Sequence, residues 1–332
     1  MDLIKNIIEK AKTKKKTIIL PEAGDHRILI AARKIQDMQI AKIVLIGQEI
    51  DVFNLAKSHN IDLKGIDVTD PLQSDHLQEF INTYFERRVK KGITLKDAEK
   101  IMKQNTLFFG AMMVDRELAD GMVAGASNST GNTLKSVFHC IGTKQGFKTV
   151  SSFFIMVSKN EKLGDNGICF FADCAVNPNP APEQLAEIAI STADNFKNLM
   201  NKEPVVALLS YSTMGSAKNP DAKKVVEAVA IAKNLRPDIL LDGEMQADAA
   251  IIPSVAEKKA SLSKVAGKAN VLIFPDLDAG NIGYKLTQRF GNTEAIGPIL
   301  QGARKPVNDL SRGCSIDDII NVTAFTCLQC EA

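Results

Sequence analysis

No stretch of this 332-residue sequence approaches the ~18 consecutive apolar residues that a membrane-spanning helix needs. The opening MDLIKNIIEKAKTKKKTIIL has neither a long apolar core nor a small-residue cleavage site, so no secretory leader is expected. Net charge is only +2, which argues neither for nucleic acid nor for a membrane surface as a global partner. Histidine is scarce: His26, His59, His76 and His139 are the only four, and none lies near Cys314 in sequence. Nothing therefore supports a Cys–His nucleophile pair there, and Cys314 reads as a buried structural thiol. Cys327-x-x-Cys330 is half of a zinc pattern without a second pair or a suitably spaced histidine. The two read as helix-face thiols, and no metal is expected. The glycines form neither a Walker A loop nor G-x-G-x-x-G, and there is no fixed-period repeat or low-complexity tract.

What is present is ordinary for a globular chain: 45% hydrophobic and 24% charged residues, with a length that suits two domains. Without a leader, the six cysteines read as reduced thiols, and a cytoplasmic location is expected. Leu3, Ile4, Ile7 and Ile8 recur at helical spacing. KTIILPEA, then HRILIAARKIQDMQI, then AKIVLIGQ reads strand, helix, strand within about thirty residues, a βαβ unit with parallel pairing. INTYFERRVKKG and LKDAEKIMKQ read as helices parted by Gly92 and Thr94. An apolar helix follows, with a short strand near Met122 to Ala124. After residue 150, TVSSFFIMVSK, GICFFADCAVN, PVVALLSYS, DILLDGEMQADAAI and ANVLIFPDLDAGN read as strands. Helices lie between them, one opening with Pro182 in its first turn. The fold class expected is α/β, with two parallel-sheet domains. In such sheets ligands bind beyond the carboxyl ends of the strands.

Several constellations could carry chemistry. GASNSTGNTLK (125–135) offers Ser127, Ser129, Thr130 and Gly131 before a helix. This is either a phosphate cradle of hydroxyls and backbone N–H groups, or simple capping. SYSTMGSAKNPDA (210–222) has the same character. In GNIGYKLTQRFGN (280–292), Lys285 and Arg289 stand one helical turn apart, beside Tyr284, as a solvated face or an anion clamp. DLSRGCSIDDI (309–319) sets Ser311 and Arg312 close to Asp317 and Asp318. The two carboxylates suit a helix N-terminus, and equally a general base beside an electrophile.

ILPEAGDHR, STMGSAKNPDA, DGEMQADAAI, KANVLIFPDLDAGNIGYKLTQR and GPILQGARKPVNDLSRGCSIDDI, in this order, closely resemble the phosphate acetyltransferase (phosphotransacetylase) family. The likeness runs from about residue 3 to the end. It implies reversible acetyl transfer between CoA and phosphate, with chemistry independent of metal and no tightly bound cofactor. CoA, acetyl-CoA, phosphate and acetyl phosphate would be substrates, and the assembly a homodimer. It implies two α/β domains, residues 1–149 with a returning 300–332, and 150–299, with the active site in the cleft between them. By the same resemblance Asp318 is the general base for the CoA thiol. Arg312 holds the phosphoryl group, and Ser311 positions CoA and assists the oxyanion. Arg88 binds CoA phosphates, and Arg289 is a further arginine of the cleft. Ser129, Thr130, Tyr284 and Lys285 fall where acetyl phosphate is expected. Lys135 stands where the family usually has arginine, keeping the charge but losing the bidentate fork. A butyryl-specific relative, or a non-catalytic acetyl-CoA-sensing domain, would share the pattern.

Overall fold

The structure, a computed structural model, describes residues 3–330. The chain divides into two compact units, Met1–Lys144 with Ala303–Ala332, and Gln145–Gly302.

The first unit opens with α1 (Leu3–Lys14), which buries Ile7 and Ala11 and leaves its lysines outward. β1 (Thr17–Leu20) leads through a loop to α2 (His26–Asp37), whose N-cap Asp25 accepts from Arg27 N at 2.9 Å. β2 (Lys42–Ile46), α3 (Glu49–Ser58), β3 (Asp67–Thr69) and α4 (Leu77–Arg88) follow. Gly92, at φ 85°, ends the turn after α4, a left-handed position that glycine occupies without penalty. A Thr94–Asp97 capping box then starts α5 (Leu95–Gln104). α6 (Thr106–Asp115) is buried from Leu107 to Asp115, as its all-round apolar sequence demands. β4 (Gly121–Ala124) leads to α7 (Thr130–Ser136), continued by a wider helical turn over Val137–Ile141.

The second unit runs β5 (Ser151–Val157), β6 (Ile168–Ala172), α8 (Pro182–Met200), β7 (Val205–Leu209), α9 (Pro220–Leu235) and β8 (Leu240–Met245). α10 (Ala247–Ile251), α11 (Pro253–Lys259), β9 (Val271–Ile273), α12 (Leu277–Phe290) and β10 (Glu294–Gln301) complete it. The chain then returns to the first unit as β11 (Val307–Asp309) and α13 (Ile316–Gln329).

The first sheet has the order β11-β4-β1-β2-β3 and is parallel throughout. β2 and β3 lie on one side of β1, whereas β4 and β11 lie on the other. The strand order therefore reverses between β1 and β4, and the loops after these two strands flank the crevice where open α/β sheets bind ligands. The second sheet has the order β10-β5-β6-β9-β7-β8. Its core β6, β9, β7 and β8 is parallel; β5 runs antiparallel to both β6 and β10. The short link from β5 to β6 has no crossover helix, so the strand must turn back. β10 is not evident from the sequence because Gly297 and Pro298 interrupt it. They fall at a register break between Ile296 and Ile299, and on an edge strand, where proline is tolerated.

All six cysteines are free and buried. Cys327 and Cys330 lie at the end of α13, where burial pushes both thiols up to about 12, in keeping with structural helix-face thiols.

Candidate active site

The loops at the carboxyl ends of β1, β4 and β11 are joined by a few charged side chains. Glu22, just past β1, is 6% exposed. Its Oε2 accepts from the backbone N–H of Gly125 and Ala126, both at 2.8 Å. Its Oε1 accepts from Ser127 N, Asn128 N and Asn128 Nδ2 at 2.8–3.0 Å. Five donors on one carboxylate replace the water it loses on burial. The same bonds consume the amides of residues 125–128, which the sequence offered as a phosphate cradle. Ser129 caps α7, its hydroxyl accepting from Asn132 N at 3.3 Å. The Thr130 hydroxyl donates to Asp309 Oδ2 at 2.5 Å.

Arg27 ties the three loops together. Its Nη2 donates to Asp25 Oδ2 at 2.6 Å and to the Ala126 carbonyl at 2.8 Å. Its Nη1 donates to the carbonyls of Arg312 (3.0 Å) and Cys314 (2.8 Å). Burial pushes Asp25 upward, but the Arg27 bonds outweigh it and hold this carboxyl below its ordinary range. Cys314 is buried beneath this clasp, and burial raises its thiol above the ordinary value despite Arg27. That suits packing better than nucleophilic attack.

Asp309, at the end of β11, is 1% exposed, and among the described residues its Oδ1 has no hydrogen-bond partner. Burial, with the nearby charge of Glu22, raises it to about 6, against the hydroxyls of Thr130 and Thr133. Gly125, at φ +112°, lets the two loops meet: a Cβ there would fall 2.5 Å from Asp309 Oδ1. Because the folded value lies above the ordinary ~3.9, the native state holds this proton more tightly than the unfolded chain. The penalty is absent below pH ~4, grows as pH rises, and is complete above about 6. Asp309→Asn is therefore expected to stabilise the protein at pH 8 by roughly 1–3 kcal/mol, with little gain at pH 4. Denaturant midpoints at the two pH values test this, and an equal effect at both would show that ionisation of Asp309 carries no penalty.

The segment after β11 presents its polar groups outward. Ser311, Arg312 and Asp318 are exposed. Among the described residues no hydrogen bond or ion pair engages the Arg312 guanidinium. Asp318 forms a capping box with Ser315, its Oδ2 accepting from Ser315 N and Oγ, both at 2.8 Å. Both bonds fall on one oxygen of the carboxylate. At the far end of α4, Arg88 is half-buried with Nε unpartnered, while Lys135 is exposed on α7.

In the second unit, buried strand-end carboxylates again organise loops. Glu244 Oε1 accepts from Ser212 Oγ (2.6 Å) and Gly215 N (2.9 Å). Asp173 accepts from Ser152 Oγ (2.6 Å) and from the amides of Ala175, Val176 and Asn177. The hydroxyl loop after β7 is therefore largely committed to the protein's own carboxylate. On α12, Tyr284 stacks on Phe154 at 4.1 Å, and Lys285 lies over the Tyr284 ring at 5.8 Å. Lys285 and Arg289 are exposed.

Sequence reasoning missed Glu22, Asp25, Arg27 and Asp309. The available signal was position: each lies on a strand end or the loop just beyond it. The contacts that join Glu22, Arg27 and Asp309 to the neighbouring loops, however, span about a hundred residues or more along the chain.

A family model described as phosphate acetyl/butaryl transferase matches residues 2–327. The chain belongs to this family. It is 51% identical over 331 residues to the phosphate acetyltransferase of Acetivibrio thermocellus, covering 100% of this chain and 99% of that protein. It is 50% identical to that of Thermoanaerobacterium thermosaccharolyticum, covering 100% of both chains. A solved phosphotransacetylase from Streptococcus pyogenes superimposes with a TM-score of 0.93 at 41% identity, covering 99% of this chain and 98% of that one. Among the described residues, no helix is long and apolar enough to cross a membrane.

Proposed function

We infer that this chain is a phosphate acetyltransferase, interconverting acetyl-CoA plus phosphate with acetyl phosphate plus CoA. The observation that carries this reading is the segment Ser311–Asp318, which exposes a hydroxyl, an unengaged guanidinium and a carboxylate on a clasped backbone. Asp318 takes the proton of the CoA thiol. The sulfur attacks the acetyl carbonyl, a tetrahedral intermediate forms, and its C–O bond to phosphate breaks. A thiol near 8.5 and a carboxylate near 3.9 differ by about 6 kcal/mol in proton affinity. The proton must therefore leave as the C–S bond forms, in a ternary complex, and not in a separate step. Ser311 donates to the developing oxyanion, and Arg312 balances the charge of the phosphoryl group and then of the leaving phosphate. Thr130 and Ser129 border the phosphate on the first unit. Arg88 and Lys135 serve the phosphates of CoA. On the second unit, Lys285 and Arg289 offer two exposed cations one turn apart, and Tyr284 fixes the start of that face. No tightly bound cofactor enters this scheme, and the cytoplasm, where thiols stay reduced, suits the six free cysteines.

Arsenolysis of acetyl-CoA tests the reading: turnover is expected, whereas binding without turnover would make the chain a sensor. Running acetyl-, propionyl- and butyryl-CoA side by side decides acyl length, with acetyl-CoA expected to give the highest kcat/KM.

The reading includes a homodimer. Ile282, Leu286 and Phe290 form one apolar stripe on α12, with Phe290 88% exposed. A contiguous apolar stripe on the surface suits a protein partner. Leu286→Arg combined with Phe290→Glu is expected to shift sedimentation from dimer to monomer. A wild-type monomer, or an unchanged dimer in the double variant, would remove the stripe from the interface.

A further inference from the structure

The proposed chemistry gives no task to Asp309, the buried carboxyl at the end of β11. The loop after β1 turns Glu22 towards it, the loop after β4 turns Gly125, and α7 turns the hydroxyls of Thr130 and Thr133. Glu22 is the comparison within the same site. It is similarly buried, but five N–H donors hold its carboxylate. Asp309 has one donor at bonding distance: the Thr130 hydroxyl gives its proton to Oδ2 at 2.5 Å. Among the described residues no ion pair reaches Asp309, and Oδ1 is left without a bond. The Thr133 hydroxyl faces the same carboxyl, yet it is 0% exposed and likewise unbonded. A carboxylate in that setting is short of donors, whereas a carboxylic acid brings its own and satisfies a neighbouring hydroxyl oxygen.

Thr130 has a single hydroxyl proton, and Asp309 accepts it. While Asp309 is ionised, Thr130 therefore presents only lone pairs to a ligand, the wrong polarity for an anion. We propose that Asp309 is a positioning residue that takes up a proton when the phosphoryl substrate binds, and so turns the Thr130 hydroxyl into a donor for that substrate. A proton from solvent goes to Oδ2, which then donates to Thr130 Oγ1. The hydroxyl proton of Thr130 swings to a phosphate oxygen, and no bond of the substrate breaks. Glu22 is the charged neighbour of Asp309, and a bound phosphate adds further negative charge, so both oppose ionisation. Burial, with Glu22, already raises Asp309 to about 6, close enough to neutrality for a bound anion to complete the protonation. The inference rests on the acetyltransferase reading for its ligand, the phosphoryl group that Thr130 borders.

The test measures the KM of phosphate, with acetyl-CoA as co-substrate, at pH 6 and pH 8 in wild type, Asp309→Asn and Thr130→Val. Asparagine offers an N–H to Thr130 at either pH, as the protonated acid does. Dividing the wild-type KM by that of Asp309→Asn also cancels the ionisation of phosphate itself. This ratio is expected to rise about tenfold from pH 6 to pH 8, the loss of one hydrogen bond to a charged group. Thr130→Val should raise the KM by a similar factor at pH 6 and change it little at pH 8, where the wild-type hydroxyl already faces Asp309. The KM of acetyl-CoA should show neither trend. A ratio that does not change with pH, or an equal effect of Thr130→Val at both pH values, overturns the proposal, because a merely structural Asp309 gives that result. If Asp309→Asn does not fold, the Thr130→Val comparison decides alone. If wild type shows no acetyl transfer, the enzymatic reading fails instead, and calorimetry with inorganic phosphate in buffers of different ionisation enthalpy tests the proton by itself. Greater proton uptake by wild type than by Asp309→Asn then supports the proposal, and equal uptake or no binding overturns it.

Discussion

Asp318→Asn is expected to lower kcat by roughly 10²–10⁴, the range a positioned general base contributes. The affinity for CoA should remain within a few-fold, because the amide keeps the shape of the side chain and removes only its basicity. The general-base role proposed for Asp318 must be separated from a structural one. It closes a capping box with Ser315 at the start of α13. Loss of a cap costs about 0.5–2 kcal/mol and lowers the melting temperature without touching chemistry in the folded fraction. Both Ser315 bonds fall on one oxygen, which the asparagine amide oxygen can replace, so the stability change should be small. Single-turnover rates on protein shown to be folded separate the two roles. A variant that keeps a tenth or more of the wild-type rate would leave Asp318 as a cap and nothing else.

Glu22→Gln is expected to damage the same reaction by disturbing the loop that leads into Ser129 and Thr130. Each carboxylate oxygen of Glu22 faces at least two N–H donors from residues 125–128. Whichever way the new amide turns, its NH₂ confronts two or three of them. Each buried donor left without an acceptor costs about 1–3 kcal/mol. The loop should therefore shift, and with it Ser129 and Thr130, which follow directly. A misplacement of about 1 Å can cost on the order of 10² in rate. A loss of that size in kcat/KM is expected, together with a clearly lower melting temperature and faster amide exchange at Gly125–Asn128. Wild-type kinetics together with an unchanged melting temperature would show that this loop does not depend on Glu22.

The sequence by itself determined the local elements and the chemistry that they could carry. Helical periodicity identifies α2, Pro182 marks the start of α8, and apolar runs mark the strands. The DLSRGCSIDDI segment is legible because its hydroxyl, guanidinium and carboxylates are neighbours along the chain. Tertiary structure alone decided which donors remain for a substrate. The amides of 125–128 look like an anion cradle when read locally, yet Glu22 occupies them across 103 to 106 residues. Asp309 meets Thr130 across 179 residues, and Arg27 holds the Arg312 carbonyl across 285. β10 is similarly hidden, since the glycine and proline that break its pattern are admissible only because it forms an edge. The physical reason is common to all of these. Capping, turns and periodicity act over a few residues and leave their mark on adjacent letters. A buried carboxylate instead takes its partners from whatever the parallel sheet brings to the same strand ends, and that adjacency exists only once the sheet has formed.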